Sequence, residues 1–130
     1  MKKKLTTEED YRQRVDRVCM YIREHLDKEI DMRRLAVLSA FSPFHFHRIM
    51  RAYLKEPIGA FIIRTRVETA AKLLRYTDLP VADIAYRVGY DTPSSLTKSF
   101  CKLFGISPKM YRLTKNYQMM TTREPKAEVK

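Results

Sequence analysis

The sequence predicts an all-α chain of seven helices, in which two small helical units are joined by one long helix. Three observations predict it. Stretches of apolar residues recur at helical spacing and are cut by proline, glycine or a capping Ser, Thr or Asp. A pattern in the first half returns in the second: Leu35-Ala36 becomes Ile84-Ala85 and Ala40-Phe41 becomes Gly89-Tyr90 at an offset of 49, then Phe46, Arg48, Met50 and Phe61 become Leu96, Lys98, Phe100 and Tyr111 at an offset of 50. The second copy therefore carries one extra residue in its turn. Finally, 26 Lys and Arg stand against 15 Asp and Glu in 130 residues, a formal charge of +11, which favours a polyanionic partner.

Met1 to Leu5 form a basic tail. Thr6 or Thr7 then caps a helix whose first turn holds Glu8, Glu9 and Asp10, where the helix dipole favours acids. Tyr11, Val15, Val18, Ile22 and Leu26 form its inner stripe, and the helix is expected to end near Asp27-Lys28. Asp31 caps a short helix from Met32 to Ser39, with Leu35 and Ala36 inward, and Ala40-Phe41 makes a turn. Ser42-Pro43 opens the third helix, because proline loses no needed donor in a first turn. Phe46, Ile49, Met50 and Tyr53 face inward on it; Phe44, His47, Arg48 and Arg51 face out.

Ile58 to Tyr76 has no proline and one glycine near its start, and predicts a single connecting helix. With roughly 16 residues at 1.5 Å each it spans about 24 Å, of the order of one turn of DNA, about 34 Å. In the second unit Ile84, Ala85 and Val88 form a short helix that Gly89 stops in the left-handed conformation. Thr92-Pro93 starts the next helix, with Leu96, Phe100 and Leu103 or Phe104 inward and Ser94, Ser95, Thr97, Lys98 and Cys101 or Lys102 outward. Each unit thus reads as a helix-turn-helix whose second helix presents a polar, basic face able to reach base edges. Gly105-Ile106-Ser107-Pro108 ends that helix and begins a last one, Lys109 to about Thr114, on which Tyr111 folds back. The expected division is 1–56 and 78–115 for the two units, 57–77 for the linker helix, and 116–130 for a tail or linker.

Other chemistry finds little footing. His45 and His47 lie about 200 degrees apart around a helix and cannot share a metal. Cys19 and Cys101 have no short pairing pattern, which points to reduced thiols. No phosphate-cradling glycine loop and no Ser-His-Asp order occurs, so neither an enzyme nor a cofactor is expected. There is no apolar run of membrane-spanning length and no signal-peptide core, so the expected location is the cytoplasm, on the nucleoid.

Pro80-Val81-Ala82-Asp83-Ile84-Ala85, Val88-Gly89-Tyr90, Phe100, and Phe104-Gly105-Ile106-Ser107-Pro108 with Tyr111-Arg112 resemble the signature of the AraC/XylS family of bacterial transcription regulators, in the MarA, SoxS and Rob group. The resemblance covers about Val15 to Arg112. It implies a seven-helix DNA-binding domain that inserts its third and sixth helices into successive major grooves of double-stranded DNA and reads an asymmetric site as a monomer. Carried onto this chain, the readers are Phe44, His47, Arg48 and Arg51 in the first unit and Ser94, Ser95, Thr97 and Lys98 in the second. Arg48 is the leading base reader, since a guanidinium can bond guanine O6 and N7 together. Phe44 stands where the MarA group has an aromatic and suits a thymine methyl. His47 takes a place where relatives often carry Gln.

Pro93, Ser94 and Ser95 depart from relatives with long amides there, so the second unit is expected to act mainly through phosphate and shape. The starts of the short helices near Asp31 and Val81 are expected to meet phosphate. The family also implies RNA polymerase as a partner. Because the DNA-binding part begins this sequence, the order resembles members with a C-terminal gyrase-inhibitor-like effector domain, with Arg123 to Lys130 as the linker into it. The competing readings are a non-specific or architectural nucleic-acid binder working by charge alone, and a protein-interaction adaptor with little DNA affinity.

Overall fold

In a computed structural model of the chain, residues 4–121 are described, and among them every regular element is a helix: α1 Thr7–Glu24, α2 Met32–Ser39, α3 Pro43–Leu54, α4 Ile58–Tyr76, α5 Val81–Arg87, α6 Pro93–Phe104 and α7 Pro108–Thr121. The all-α, seven-helix class expected from the sequence is the one observed. By its contacts the chain divides into two compact units between Ile62 and Ile63, a point within α4.

In the first unit α1, α2 and α3 pack on one another. Their buried stripes, among them Val18, Ile22, Leu35, Phe46 and Met50, form one core that Ile58 and Phe61 of α4 complete. The helix starts are set by the residues expected. Thr6 makes a full capping box with Glu9, the Thr6 hydroxyl accepting from the Glu9 amide at 3.1 Å and the Glu9 carboxylate accepting from the Thr6 amide at 2.9 Å. Asp31 accepts from Arg33 N at 3.0 Å, and Ser42 from Phe44 N at 3.2 Å with Pro43 in the first position.

The other end of α1 differs from expectation. The helix stops at Glu24 rather than near Asp27-Lys28, because His25 leaves helical geometry (φ −126°, ψ 28°), its ring stacked on Tyr21 at 3.9 Å between centroids and its Nδ1 bonded to the Tyr21 carbonyl oxygen at 2.8 Å. Leu26 is buried all the same, brought inward by the turn that follows.

In the second unit Val67, Ala70 and Leu74 of α4 meet Ile84 and Ala85 of α5 and Leu96 and Phe100 of α6. Gly89 takes the positive φ expected of it, 99°, in the turn between α5 and α6. Thr92 caps α6 by accepting from Ser95 N at 3.1 Å. Tyr111 of α7 closes the core edge-on against Phe100 and Phe104, at 5.4 and 5.3 Å between centroids.

Two helices are longer than the sequence suggested. α4 has the bounds expected of it but 19 residues, or about 28 Å rather than 24 Å. α7 runs to Thr121 rather than to about Thr114, since no glycine or proline falls between Lys109 and Thr121 and the segment is rich in good helix formers. The expected linker segment Arg123 to Lys130 lies outside the described residues, as does the very start of the basic tail. Among the described residues no helix is long and apolar enough to cross a membrane.

Candidate nucleic-acid interface

α3 is built so that one side chain set is buried and another is not. Phe46 and Met50 are buried, with Ile49 and Tyr53 partly so, and they hold the helix on the core. Phe44, His47, Arg48 and Arg51 are all exposed, and their spacing of three, four and seven places them on one stripe. Phe44 is 93% exposed, so it is no part of the core and its ring stands in water. The His47 ring is exposed and packs edge-on against Phe46 at 5.2 Å between centroids. α3 contains no acid, and among the described residues neither Arg48 nor Arg51 makes an ion pair. Their guanidinium groups keep all their donors for a partner.

α6 repeats the arrangement with smaller side chains. Leu96 and Phe100 are buried; Ser94, Ser95 and Lys98 are exposed and Thr97 is half-buried. The Thr92 hydroxyl donates to Ser95 Oγ at 3.0 Å while accepting from Ser95 N, so Ser95 takes part in the capping of its own helix. Ser94 and Lys98, one turn apart, extend into an exposed stripe with Cys101 and Lys102. α6 likewise carries no acid.

The two short helices start differently. At α2 the Asp31 carboxylate accepts from a first-turn amide; at α5 the capping position is Pro80 and no side chain caps the first turn. Each start also holds one carboxylate, Asp31 at the cap of α2 and Asp83 in the first turn of α5, so neither is a bare positive helix end.

Three arginines outside the expected reading set, Arg112 among them from the family signature, hold the frame around these helices. Arg14 and Arg17 of α1 donate to the carbonyl oxygens of Ala40 and Leu38, at 3.1 and 3.2 Å, at the end of α2. Arg112 of α7 donates to three carbonyl oxygens, Leu74 at 3.1 Å, Thr77 at 3.0 Å and Leu79 at 2.7 Å, around the end of α4 and the approach to α5. Signals for these roles are long-range and leave no local pattern. What distinguishes these arginines from Arg48 and Arg51 is occupation: one set is spent on backbone carbonyls, the other is not.

A family model described as a helix-turn-helix domain matches residues 35–114. The HTH-type transcriptional activator AarP of Providencia stuartii is 33% identical over 113 residues, 86% of this chain and 84% of AarP. The right origin-binding protein of Escherichia coli is 28% identical over 106 residues, 82% of this chain but 37% of that protein, so the chain spans little more than a third of this longer relative. Among solved structures, the DNA-binding domain of AdpA, a global transcriptional factor crystallised with a target DNA, superposes with a TM-score of 0.74 at 28% identity, covering 85% of this chain and 97% of that one. By its matched helices, its seven-helix fold and these relatives, the chain belongs to the AraC/XylS family of helix-turn-helix transcription regulators.

Proposed function

We propose that the chain is a sequence-specific regulator that reads double-stranded DNA with α3 and α6 in successive major grooves. The observation that carries this is the α3 stripe: Phe44, His47, Arg48 and Arg51 share one exposed face, without an acid on the helix and, among the described residues, without an ion pair on either arginine. Arg48 reads guanine, Phe44 covers a thymine methyl, and His47 and Arg51 bond bases or phosphates. On α6, Lys98 and Ser94 supply the reach, with Thr97 and Ser95 nearer the helix. Short side chains touch fewer base edges, so the first unit carries most of the discrimination and the second contributes phosphate contacts and shape. In this reading 1–56 and 78–115 are the two reading units and 57–77 is the spacer. The starts of α2 and α5, near Asp31 and Val81, meet backbone phosphate through their free first-turn amides, with Asp83 limiting the charge that α5 offers.

The rest of the reading follows from the relatives. AarP is an activator by name, which supports RNA polymerase as a partner here. The length of the right origin-binding protein beyond the matched part supports a further domain joined to this unit; an effector domain of the gyrase-inhibitor type is what the family resemblance implies for it. The working location is the cytoplasm, on the nucleoid, and the chain is assigned no catalytic step and no cofactor.

Selection from a pool of random duplexes tests the proposal. The expected outcome is an asymmetric site with two conserved elements about one helical turn apart, retained at moderate salt against excess random duplex. Enrichment of no sequence, with binding that random duplex removes, would instead identify a charge-driven architectural binder.

A further inference from the structure

A cleft of about 490 Å³ opens within the first unit, between the start of α2, the second half of α3 and the first turn of α4. Its two walls differ in chemistry. Met32, Pro57, Ile58 and Gly59 form an apolar wall; His47, Arg48 and Arg51 form a cationic one, and no acid lines the space. Gly59 is the telling residue. It lies in the first turn of α4, where glycine is a poorer helix former than any residue but proline, yet a Cβ built there would meet nothing within 4 Å. Neither backbone conformation nor a protein neighbour requires a glycine there. The missing side chain simply leaves the cleft open.

From this geometry we infer that the cleft is a ligand site for an amphipathic carboxylate, whose apolar body lies on Met32, Ile58 and Gly59 and whose anionic end pairs with Arg48 and Arg51. A guanidinium binds a carboxylate with two parallel hydrogen bonds, and the volume falls in the range of small-molecule sites. A DNA phosphate is the other anion available, but it is hydrated on every side and makes no use of an apolar wall. Because Arg48 and Arg51 belong to both the cleft and the α3 stripe, the carboxylate and DNA compete. That competitive half rests on the DNA-reading role proposed above; the cleft itself does not.

The test uses 2-naphthoate as the probe, with the neutral 2-naphthamide as its match, added to the ¹⁵N-labelled full chain. Saturable amide shifts are expected at Met32, Ile58 and Gly59, with the amide about tenfold weaker or worse, as loss of a charge-assisted pair requires. Gly59→Leu fills the space and is expected to weaken 2-naphthoate by about tenfold or more while leaving the spectrum dispersed. Should that variant lose its dispersed spectrum, Arg51→Gln probes the same site from the charged wall, with an expected weakening of about fivefold. Equal binding of the amide, unchanged binding by Gly59→Leu or Arg51→Gln, or shifts scattered over the basic surface would overturn the site. If 2-naphthoate fails to bind while Gly59→Leu weakens duplex binding, DNA backbone is the occupant and the inference is wrong. Duplex affinity unchanged at saturating 2-naphthoate overturns the competition. A chain that takes up 2-naphthoate but no duplex sinks the DNA reading and spares the cleft; selective duplex binding without 2-naphthoate does the reverse.

Discussion

The guanidinium of Arg14, on α1, donates to the carbonyl oxygen of Ala40 at 3.1 Å, and Ala40 is the residue at which the backbone turns left-handed, φ 61°, between α2 and α3. Arg14 also pairs with Asp10 at 3.0 Å and lies over the Phe41 ring at 5.2 Å. A side chain from another helix thus braces a conformation that alanine adopts only at a cost of about 1–2 kcal/mol. Ala40→Gly should therefore raise stability, by about 0.5–1 kcal/mol after the entropy of glycine in the unfolded chain is counted. Arg14→Ala should lower it by about 1 kcal/mol, the ion pair being partly screened by solvent. Urea unfolding of both variants measures this, and a destabilised Ala40→Gly would refute it.

Arg112 presents the larger case. Its three carbonyl acceptors, Leu74, Thr77 and Leu79, are 38, 35 and 33 residues away in sequence, and each would be left short of a donor if the guanidinium were removed. Arg112→Ala should cost about 2–4 kcal/mol. Arg112→Lys should recover less than half of that, since an ammonium on a flexible stem cannot span the planar fork of contacts. Equal stability of the Lys variant and the parent in urea would show that charge, not geometry, is what matters.

The two proposed reading helices should fail in different ways. Arg48→Ala is expected to cost about 1–3 kcal/mol at one base pair and to relax preference there. Lys98→Ala should weaken all duplexes nearly equally and lower the slope of log K against log salt by about 1. Competition between selected and single-substituted duplexes over a salt series separates the two. A greater loss of base preference from Lys98→Ala than from Arg48→Ala would reverse the assignment of the units.

The cysteines should react in sequence. Cys101 is exposed on α6, whereas Cys19 is buried on α1, and burial pushes the Cys19 thiol above its ordinary value despite the opposing pull of Arg23. A thiolate is the reactive form. With a disulfide reagent at neutral pH, one thiol per native chain should react promptly and the second only on unfolding. Cys101→Ser should abolish the prompt phase, and a prompt phase that persists in that variant would place the reactive sulfur on Cys19.

Much of this architecture was legible because it is local. Asp31, Ser42 and Thr92 cap the helices that follow them, Pro43 and Pro93 take first-turn positions, and the stripe of Phe46 and Met50 against Phe44, His47, Arg48 and Arg51 follows from helical period alone. Gly89 was legible for the same reason. The left-handed turns at Ala40 and Lys55, φ 61° and 66°, were not, because neither residue advertises that conformation; the repeat places glycine at both counterparts, Gly89 and Gly105. The carbonyl bonds of Arg14, Arg17 and Arg112 join residues 21 to 38 apart and exist only once the helices have packed. Nor does a helical wheel show that the Ser95 hydroxyl is engaged by Thr92, or that the space above Gly59 is empty.

The bare ring of Phe44 carries a thermodynamic consequence. In the isolated chain it holds an apolar surface in contact with solvent, at 93% exposure, and that hydration ends only when something covers it. Association through this face should therefore show a negative heat-capacity change that shrinks in Phe44→Ala, whatever the balance of enthalpy and entropy at one temperature.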